Sequence, residues 1–395
     1  MESAVIVDAV RTASGRGKMG GALSGVHPTD LLATVLASLL ERNGLDSAQV
    51  DDVLIGCVSQ VGDQSSNIAR GAVLAAGFDT AVPAATIDRQ CGSSQQAATF
   101  AAQGVMSGAY DIAIAGGVES MSRVPLGTAA AGGSPNGERM RARYPEGLVN
   151  QGVSAELIAS KWGFSREELD EFAAESHRRA AEASGHFQCE ILPVTVAAED
   201  GTTTVVDRDE TVRAGTTVEG LAGLQPAFRN DRMVERFPDL EWSITPGNSS
   251  PLTDGASAVL VMSETMAKSL GLRPRARFHS FSVVGDDPLF MLTGPIPATH
   301  RILKRSGLSF GDLDAYEVNE AFASVPLAWA AEFGADPAKL NPRGGAIALG
   351  HALGSSGTRL LTTMLHHLEA TGGRYGLQTM CEGGGMANAT IIERL

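Results

Sequence analysis

Residues 40–55 read LERNGLDSAQVDDVLI, and residues 303–318 read LKRSGLSFGDLDAYEV. Each stretch ends a helical pattern at a basic residue, passes through Gly-Leu and a polar turn, and enters an apolar run of strand length. The offset between the two is constant at 263 residues (40 to 303, 55 to 318). A second pair lies at an offset of 262: Gly92-Ser93-Ser94 opens one helical pattern and Gly354-Ser355-Ser356 opens another. Each of those helices is followed by a strand ending in glycines, Gly116-Gly117 and Gly383-Gly384. Chance likeness between two α/β segments is the competing explanation. Matched order at matched spacing favours two copies of one α/β unit, near residues 1–120 and 271–395.

Around these anchors strand and helix signals alternate. Ala4 to Val10 is an apolar run of strand length, His27-Pro28-Thr29-Asp30 opens a helical pattern through Leu40, Val53 to Val58 reads as a strand, and Asp111 to Ala115 as a short buried one. Such alternation predicts an α/β fold with covered sheets. The segment between the copies differs. Residues 121–250 are rich in Gly, Ser, Arg and Glu, carry the cluster Ala131-Gly132-Gly133, and contain a helix predicted over 166–184 with a capping box, Ser165 with Glu168. We expect three parts: residues 1–120 with 251–270 as an N-terminal half, 121–250 as an inserted loop domain that carries binding contacts, and 271–395 as a C-terminal half.

Composition excludes several function classes. A chain of 395 residues with 43% hydrophobic and 19% charged residues is globular rather than disordered. The 46 glycines predict many tight turns or close backbone approaches. Lys plus Arg is 31 against 45 Asp plus Glu, a net charge of −14, so there is no global field for nucleic acid, and an anionic substrate needs a local basic patch. Aromatic residues are 5%, too few for stacking along single strands. The longest clean apolar run, Leu31 to Leu40, is far below the ~18 residues of a bilayer span. The N-terminus MESAVIVDAV has no basic region before its apolar run and reads as a first strand, so a cytoplasmic setting is expected. The four cysteines, Cys57, Cys91, Cys189 and Cys381, are far apart and never spaced CxxC, which argues against a disulfide scaffold or a structural metal.

Gly15-Arg16-Gly17-Lys18-Met19-Gly20 matches GxGxxG, but a dinucleotide site needs a helix starting at the last glycine, and here more loop follows. Cys91 is more informative. It stands just before the helical pattern Ala97, Ala98, Phe100, Ala101, Val105, where free N–H groups and the helix dipole favour a thiolate. An inert buried cysteine is the alternative. His351, flanked by Gly350 and Gly354 on a turn expected to be exposed, is suited to act as a base for a cysteine; a solvated loop histidine is the alternative. Cys381 follows an apolar run, and Cys381-x-Gly383 can supply both a thiol proton and a backbone donor for an oxyanion; a core cysteine before a turn is the alternative. Asn319-Glu320-Ala321-Phe322 follows a strand, where buried polar groups need partners, although Asn is also a common helix cap. Cys57 reads as core, Cys189 as surface, and His366-His367 as cations suited to the end of a helix.

These four motifs, in this order on a duplicated α/β chain, resemble the thiolases, which make or cleave 3-ketoacyl-CoA. The likeness runs from Arg11-Thr12 to Ile391-Ile392-Glu393. It implies a five-layer αβαβα core with an inserted loop domain, and no permanently bound cofactor, with coenzyme A and acyl-CoA as substrates. It implies Cys91 as the acylated nucleophile, His351 as its activator, and Cys381 as the acid/base for the acetyl-CoA carbanion. Asn319 would hold a water that forms one oxyanion hole with His351, and the N–H groups of Cys91 and Gly383 would form the other. Ser250, Arg213, Phe228 and Phe322 match coenzyme A contacts, and a homodimer or homotetramer is expected. A condensing enzyme of the same superfamily is disfavoured, since those lack the second cysteine. A scaffold without chemistry would have lost a catalytic residue, and none is lost. Three departures stand out: Ala352 where the family usually has proline, Gln151 where short-chain enzymes have methionine, and a long 229–244 stretch. The last two tilt the reading toward degradation of bulkier acyl chains.

Overall fold

In the computed structural model, which describes residues 2–197 and 200–395, the apolar run at the N-terminus forms strand β1 (Ala4–Thr12), buried along its whole length. The helix that follows, α1 (Pro28–Asn43), starts on proline, where no N–H is missed, and stops at Gly44 with φ +61°. Strands β2 (Asp52–Gly56), β3 (Ala84–Ile87) and β4 (Ile112–Ser120) complete the first unit, with helix α2 (Ser93–Ser107) between the last two. After the intervening segment come β5 (Thr253–Ser263) and β6 (Ala276–Gly285), then β7 (Ala315–Val318), β8 (Tyr375–Glu382) and β9 (Met386–Arg394).

The strand order is β7-β8-β9-β6-β1-β5-β4-β2-β3, and it is nearly palindromic. β2 runs parallel to β4 as β7 does to β8, and β5 pairs antiparallel with β4 and β1 as β9 does with β8 and β6. The half-sheets join at β1 and β6 through two paired positions among the described residues, Val5 with Arg277 and Ile6 with Ala276. Two helices, α2 and the one over Ser356–Thr371, lie between the half-sheets, so closely that a Cβ on Gly357 would stand 2.1 Å from the Gln95 backbone nitrogen. Helix α1 covers the outer face of one half and the helix over Pro295–Ser306 the other. The result is the αβαβα stack that the family resemblance implies.

The repeat is tighter than the motifs alone suggested. The central helices open at Ser93 and Ser356, an offset of 263 rather than 262, as do the left-handed glycines Gly44 and Gly307 and the strand starts at 52 and 315.

Two helices of the intervening segment matter for the site: α3 (Gln151–Trp162) and α4 (Arg166–Glu182), the latter shorter than the predicted 166–184 because its last residues tighten into a 3₁₀ turn. The Ser165–Glu168 capping box is present. Buried Arg11 of β1 ties the segment down, with Nε on Glu190 (2.7 Å) and its two terminal nitrogens on Asp209 (2.7 and 3.0 Å).

Candidate active site

Residues from both halves meet where the two central helices begin. Cys91 sits one residue before the cap of α2, and Gln90 before it adopts φ +49°, a left-handed conformation costly for a side chain. The turn is tight. A Cβ on Gly92 would lie 2.0 Å from Glu382 Oε1, and Asn388 Nδ2 donates to the Gly92 carbonyl at 3.0 Å. The N–H groups of Cys91 and Gly383 and the side-chain amide of Gln151 act to lower the Cys91 thiol. They favour the thiolate, as the helix-start position predicts, but they do not win. Burial, and next the Glu382 carboxylate, push the thiol up to about 12. With the thiol held high, the helix start alone does not bring out a thiolate, and a base is called for.

His351 is buried, not on an exposed turn as the flanking glycines suggested, because the segment between residues 341 and 356 folds back under β5. Its N–H donates to Thr253 Oγ1 (2.9 Å). Its tautomer follows from its neighbours. Ser356 Oγ gives its only proton to the Ala352 carbonyl (2.8 Å), so at 2.6 Å it accepts from His351 Nδ1–H. Nε2 is left with its lone pair, facing Asn319 Nδ2 at 3.4 Å. Burial, and then the Arg359 charge, lower the imidazole to about 3.

Cys381 lies within β8, fully buried. Burial and then the proximity of Cys91 push its thiol up, while the Asn319 side chain favours its thiolate. Asn319 thus stands between Cys381 and His351, and its Oδ1 has no partner among the described residues. Glu320, beside it, faces away. It accepts from Ser176 Oγ (2.7 Å), Asn341 Nδ2 (2.8 Å) and Ile347 N–H (3.1 Å), and so braces the approach to His351. Glu119 has a matching role: it accepts from Val58, Ser59 and Gly354 N–H and from Gln64, which fastens the His351 loop to the first half.

The residues proposed to touch coenzyme A divide. Phe228 and Phe322 form an edge-to-face pair, centroids 5.8 Å apart, and the Phe228 ring fills the space a side chain at Gly152 would need. Ser250 joins them, its N–H donating to the Ala321 carbonyl. Arg213 is exposed, with its N–H on His177 Nδ1, and has no described contact with this group. The sequence does not single out two residues for their place at Cys91: Glu382, the middle residue of Cys381-x-Gly383, buried with neither oxygen partnered among the described residues and raised to about 8 by burial, and Gln151, known from the sequence only as a departure. Burial holds both His366 and His367 below their ordinary value, His367 at about 4, against the cationic form that a helix end favours.

A thiolase N-terminal domain model matches residues 4–265, and a thiolase C-terminal domain model matches residues 272–394. The chain belongs to the thiolase family. It is an acyltransferase. It is 51% identical to a steroid 3-ketoacyl-CoA thiolase of Mycobacterium tuberculosis, over all of this chain and 95% of that one. It is 46% identical to a 3-ketoacyl-CoA thiolase of Serratia proteamaculans over the full length of both. Among solved structures it resembles the acetyl-CoA acetyltransferase of Bacillus anthracis with a TM-score of 0.89, at 38% identity over 100% of this chain and 99% of that one. Among the described residues no helix of this thiolase is long and apolar enough to cross a membrane, and no group of His, Cys, Asp and Glu could hold a metal.

Proposed function

We propose that this thiolase cleaves 3-ketoacyl-CoA with free coenzyme A, giving acetyl-CoA and a shortened acyl-CoA, through an acyl-cysteine intermediate. The supporting observation is the meeting of Cys91 and Cys381 with Asn319 between the second sulfur and His351. A thiol held high and an imidazole held low call for general-base chemistry: Cys91 loses its proton to His351 Nε2 as its sulfur attacks the 3-keto carbon. The C2–C3 bond then breaks, and Cys381 gives its proton to the departing acetyl-CoA carbanion. Free coenzyme A next attacks the acyl-sulfur carbonyl, the C–S bond to Cys91 breaks, and the shortened acyl-CoA leaves. The two products depart in separate halves, so the kinetics are ping-pong.

The orphaned Asn319 Oδ1 suits a water that would share the enolate oxygen with His351, and the Cys91 and Gly383 N–H groups suit the tetrahedral oxyanion. Such a donor is worth ~3–4 kcal/mol. Phe228, Phe322 and Ser250 are assigned to pantetheine and Arg213 to the nucleotide end. Residues 1–120 with 251–270, 121–250 and 271–395 are assigned as first half, loop domain and second half. A degradative direction on bulkier acyl chains is favoured by the steroid thiolase relative and by Gln151. A dimer or tetramer in the cytoplasm is the expected working form.

The first test is mass spectrometry after mixing with acetyl-CoA. Wild type should gain one acetyl group and Cys91→Ser none; a wild type that binds coenzyme A yet stays unmodified would leave a binding protein instead. A series of 3-ketoacyl-CoA substrates of increasing bulk then reads direction and preference.

A further inference from the structure

Gln151 is the first residue of α3, and its position is fixed from several sides. The helix is capped by Asn150 Oδ1, which accepts from Val153 N–H at 3.0 Å. Ser154 Oγ donates to the Leu289 carbonyl (2.7 Å), and Ser324 Oγ donates to the Ala155 carbonyl (3.0 Å). Gly152 lies flat against Phe228, so the helix cannot draw back from the site without losing that packing. From this base the Gln151 side chain reaches the catalytic loops. Its Nε2 stands 3.3 Å from the point a Cβ on Gly383 would occupy, with Gln90 Oε1 3.0 Å from the same point. The amide, like the N–H groups of Cys91 and Gly383, favours the thiolate form of Cys91.

Two backbone donors are thus joined by a third from a side chain. Its spacing from them is set by a helix rather than by the turn that carries the nucleophile. An amide nitrogen in this place has two protons to give, so a bond to the neighbouring Gln90 Oε1 would still leave one for the site. We propose that Gln151 is a catalytic residue of this thiolase, a third hydrogen-bond donor that serves Cys91 first as a thiolate and then, in the acyl-enzyme, the oxygen of the acyl group.

The proposal rests on the acyl-cysteine reading above. In the second half-reaction the sulfur of coenzyme A adds to the acyl carbonyl, the carbonyl oxygen takes up the negative charge, and the C–S bond to Cys91 then breaks. The thiol proton of coenzyme A passes to Cys381, which gave its own to the carbanion, and the proton held on His351 returns to Cys91. Charge is greatest on the oxygen midway through, where a preorganised amide donor lowers the barrier more than it stabilises the resting thioester. Methionine at this position keeps the length and donates nothing, so an enzyme with methionine would rely on the two backbone donors alone.

The test is Gln151→Met, with Gln151→Ala as a second variant in case the thioether packs badly. Two readouts are needed. The first is the pH dependence of Cys91 alkylation by iodoacetamide, which requires no turnover. Both variants should show the profile displaced to higher pH, by about half a unit or more. The second is the half-reaction of acetylated enzyme with coenzyme A, where both variants should lose roughly 10- to 100-fold in rate, with the concentration of coenzyme A at half-maximal rate changed less than threefold. A purely packing role for Gln151 would be rescued by methionine and not by alanine. If Gln151→Met matches wild type in both readouts, the proposal is overturned. If wild type is never acetylated but its alkylation profile still shifts in the variants, the donor assignment stands and the thiolysis reading falls.

Discussion

At the scale of single residues the site turns on one proton at His351. Ser356 spends its hydroxyl hydrogen on Ala352, so it can only accept from Nδ1–H, and Nε2 is free to act. Ser356→Ala removes that acceptor and leaves a buried donor unpaired, a loss of ~1–3 kcal/mol. We expect a 10- to 100-fold fall in the rate of acetylation by acetyl-CoA, with Cys91 still alkylated by iodoacetamide. The Ala352 carbonyl also accepts from Ser355 N–H (3.0 Å) and Ser356 N–H (2.9 Å), so the turn that the family sets with proline is held here by donors converging on one carbonyl. The Ala352 N–H has no described acceptor. Ala352→Pro should therefore be accepted and raise stability by ~0.4–1 kcal/mol in urea melts; a destabilised variant would mean the backbone at 352 does not suit the ring. Sequence led to Cys91, His351, Cys381 and Asn319 because each stands beside glycines or at an element boundary, where local chemistry shows in the neighbours. It could not lead to Glu382 or Gln151 in the same way. Glu382 lies inside the Cys381-x-Gly383 motif, but its approach to Cys91, like that of Gln151, depends on packing between segments far apart in the chain.

At the scale of elements the site exists because two helix starts are brought together, and that depends on glycine where the central helices cross. Gly357 faces the Gln95 backbone so closely that a methyl group would meet the nitrogen at 2.1 Å and the Gln95 Cα at 2.8 Å. Backbone cannot move aside as a flexible side chain does. Gly357→Ala should cost about 3 kcal/mol or more, at the upper end of overpacking, seen as a lower urea midpoint with little change in slope. A variant within 0.5 kcal/mol of wild type would show that the helices can part cheaply. The high glycine content was legible as a sign of close approaches, and the 263-residue repeat as a duplicated sheet. What could not be read was which glycines lie at the crossing. Nor could sequence reveal how narrow the join is between the halves, two residue pairs on β1 and β6, since that depends on how far two twisted sheets splay around the helices between them.

At the scale of the molecule, buried ionisable groups set how stability varies with pH. His177 and His367 are lowered to about 4 and His351 to about 3, in each case chiefly by burial, from an ordinary value of 6.5. Below pH 6.5 the unfolded chain binds protons that these folded imidazoles refuse. Their contribution to stability is therefore complete above about pH 6.5 and is lost as the pH falls toward 4 and then 3, by several kcal/mol in order of magnitude. Glu382 has the opposite sign. Burial raises it to about 8, with Arg89 opposing and Asp88 adding to the shift, so the folded carboxyl holds a proton that the unfolded one has released. Its protonation favours the fold below about pH 4.5, and that advantage is lost as the pH rises from 4.5 to 8. The two limbs overlap between pH 4.5 and 6.5, and a melting curve of wild type alone cannot separate them. Glu382→Gln can. Glutamine keeps the shape and cannot ionise, so it should leave the acid limb, governed by the histidines, unchanged. It should gain on wild type as the pH is raised from 5 to 9. Melting temperatures of both proteins at pH 5, 7 and 9 measure this directly. A difference that stays constant across the range would mean that Glu382 is ionised in the fold throughout, and that the negative charge beside Cys91 is permanent rather than titrated.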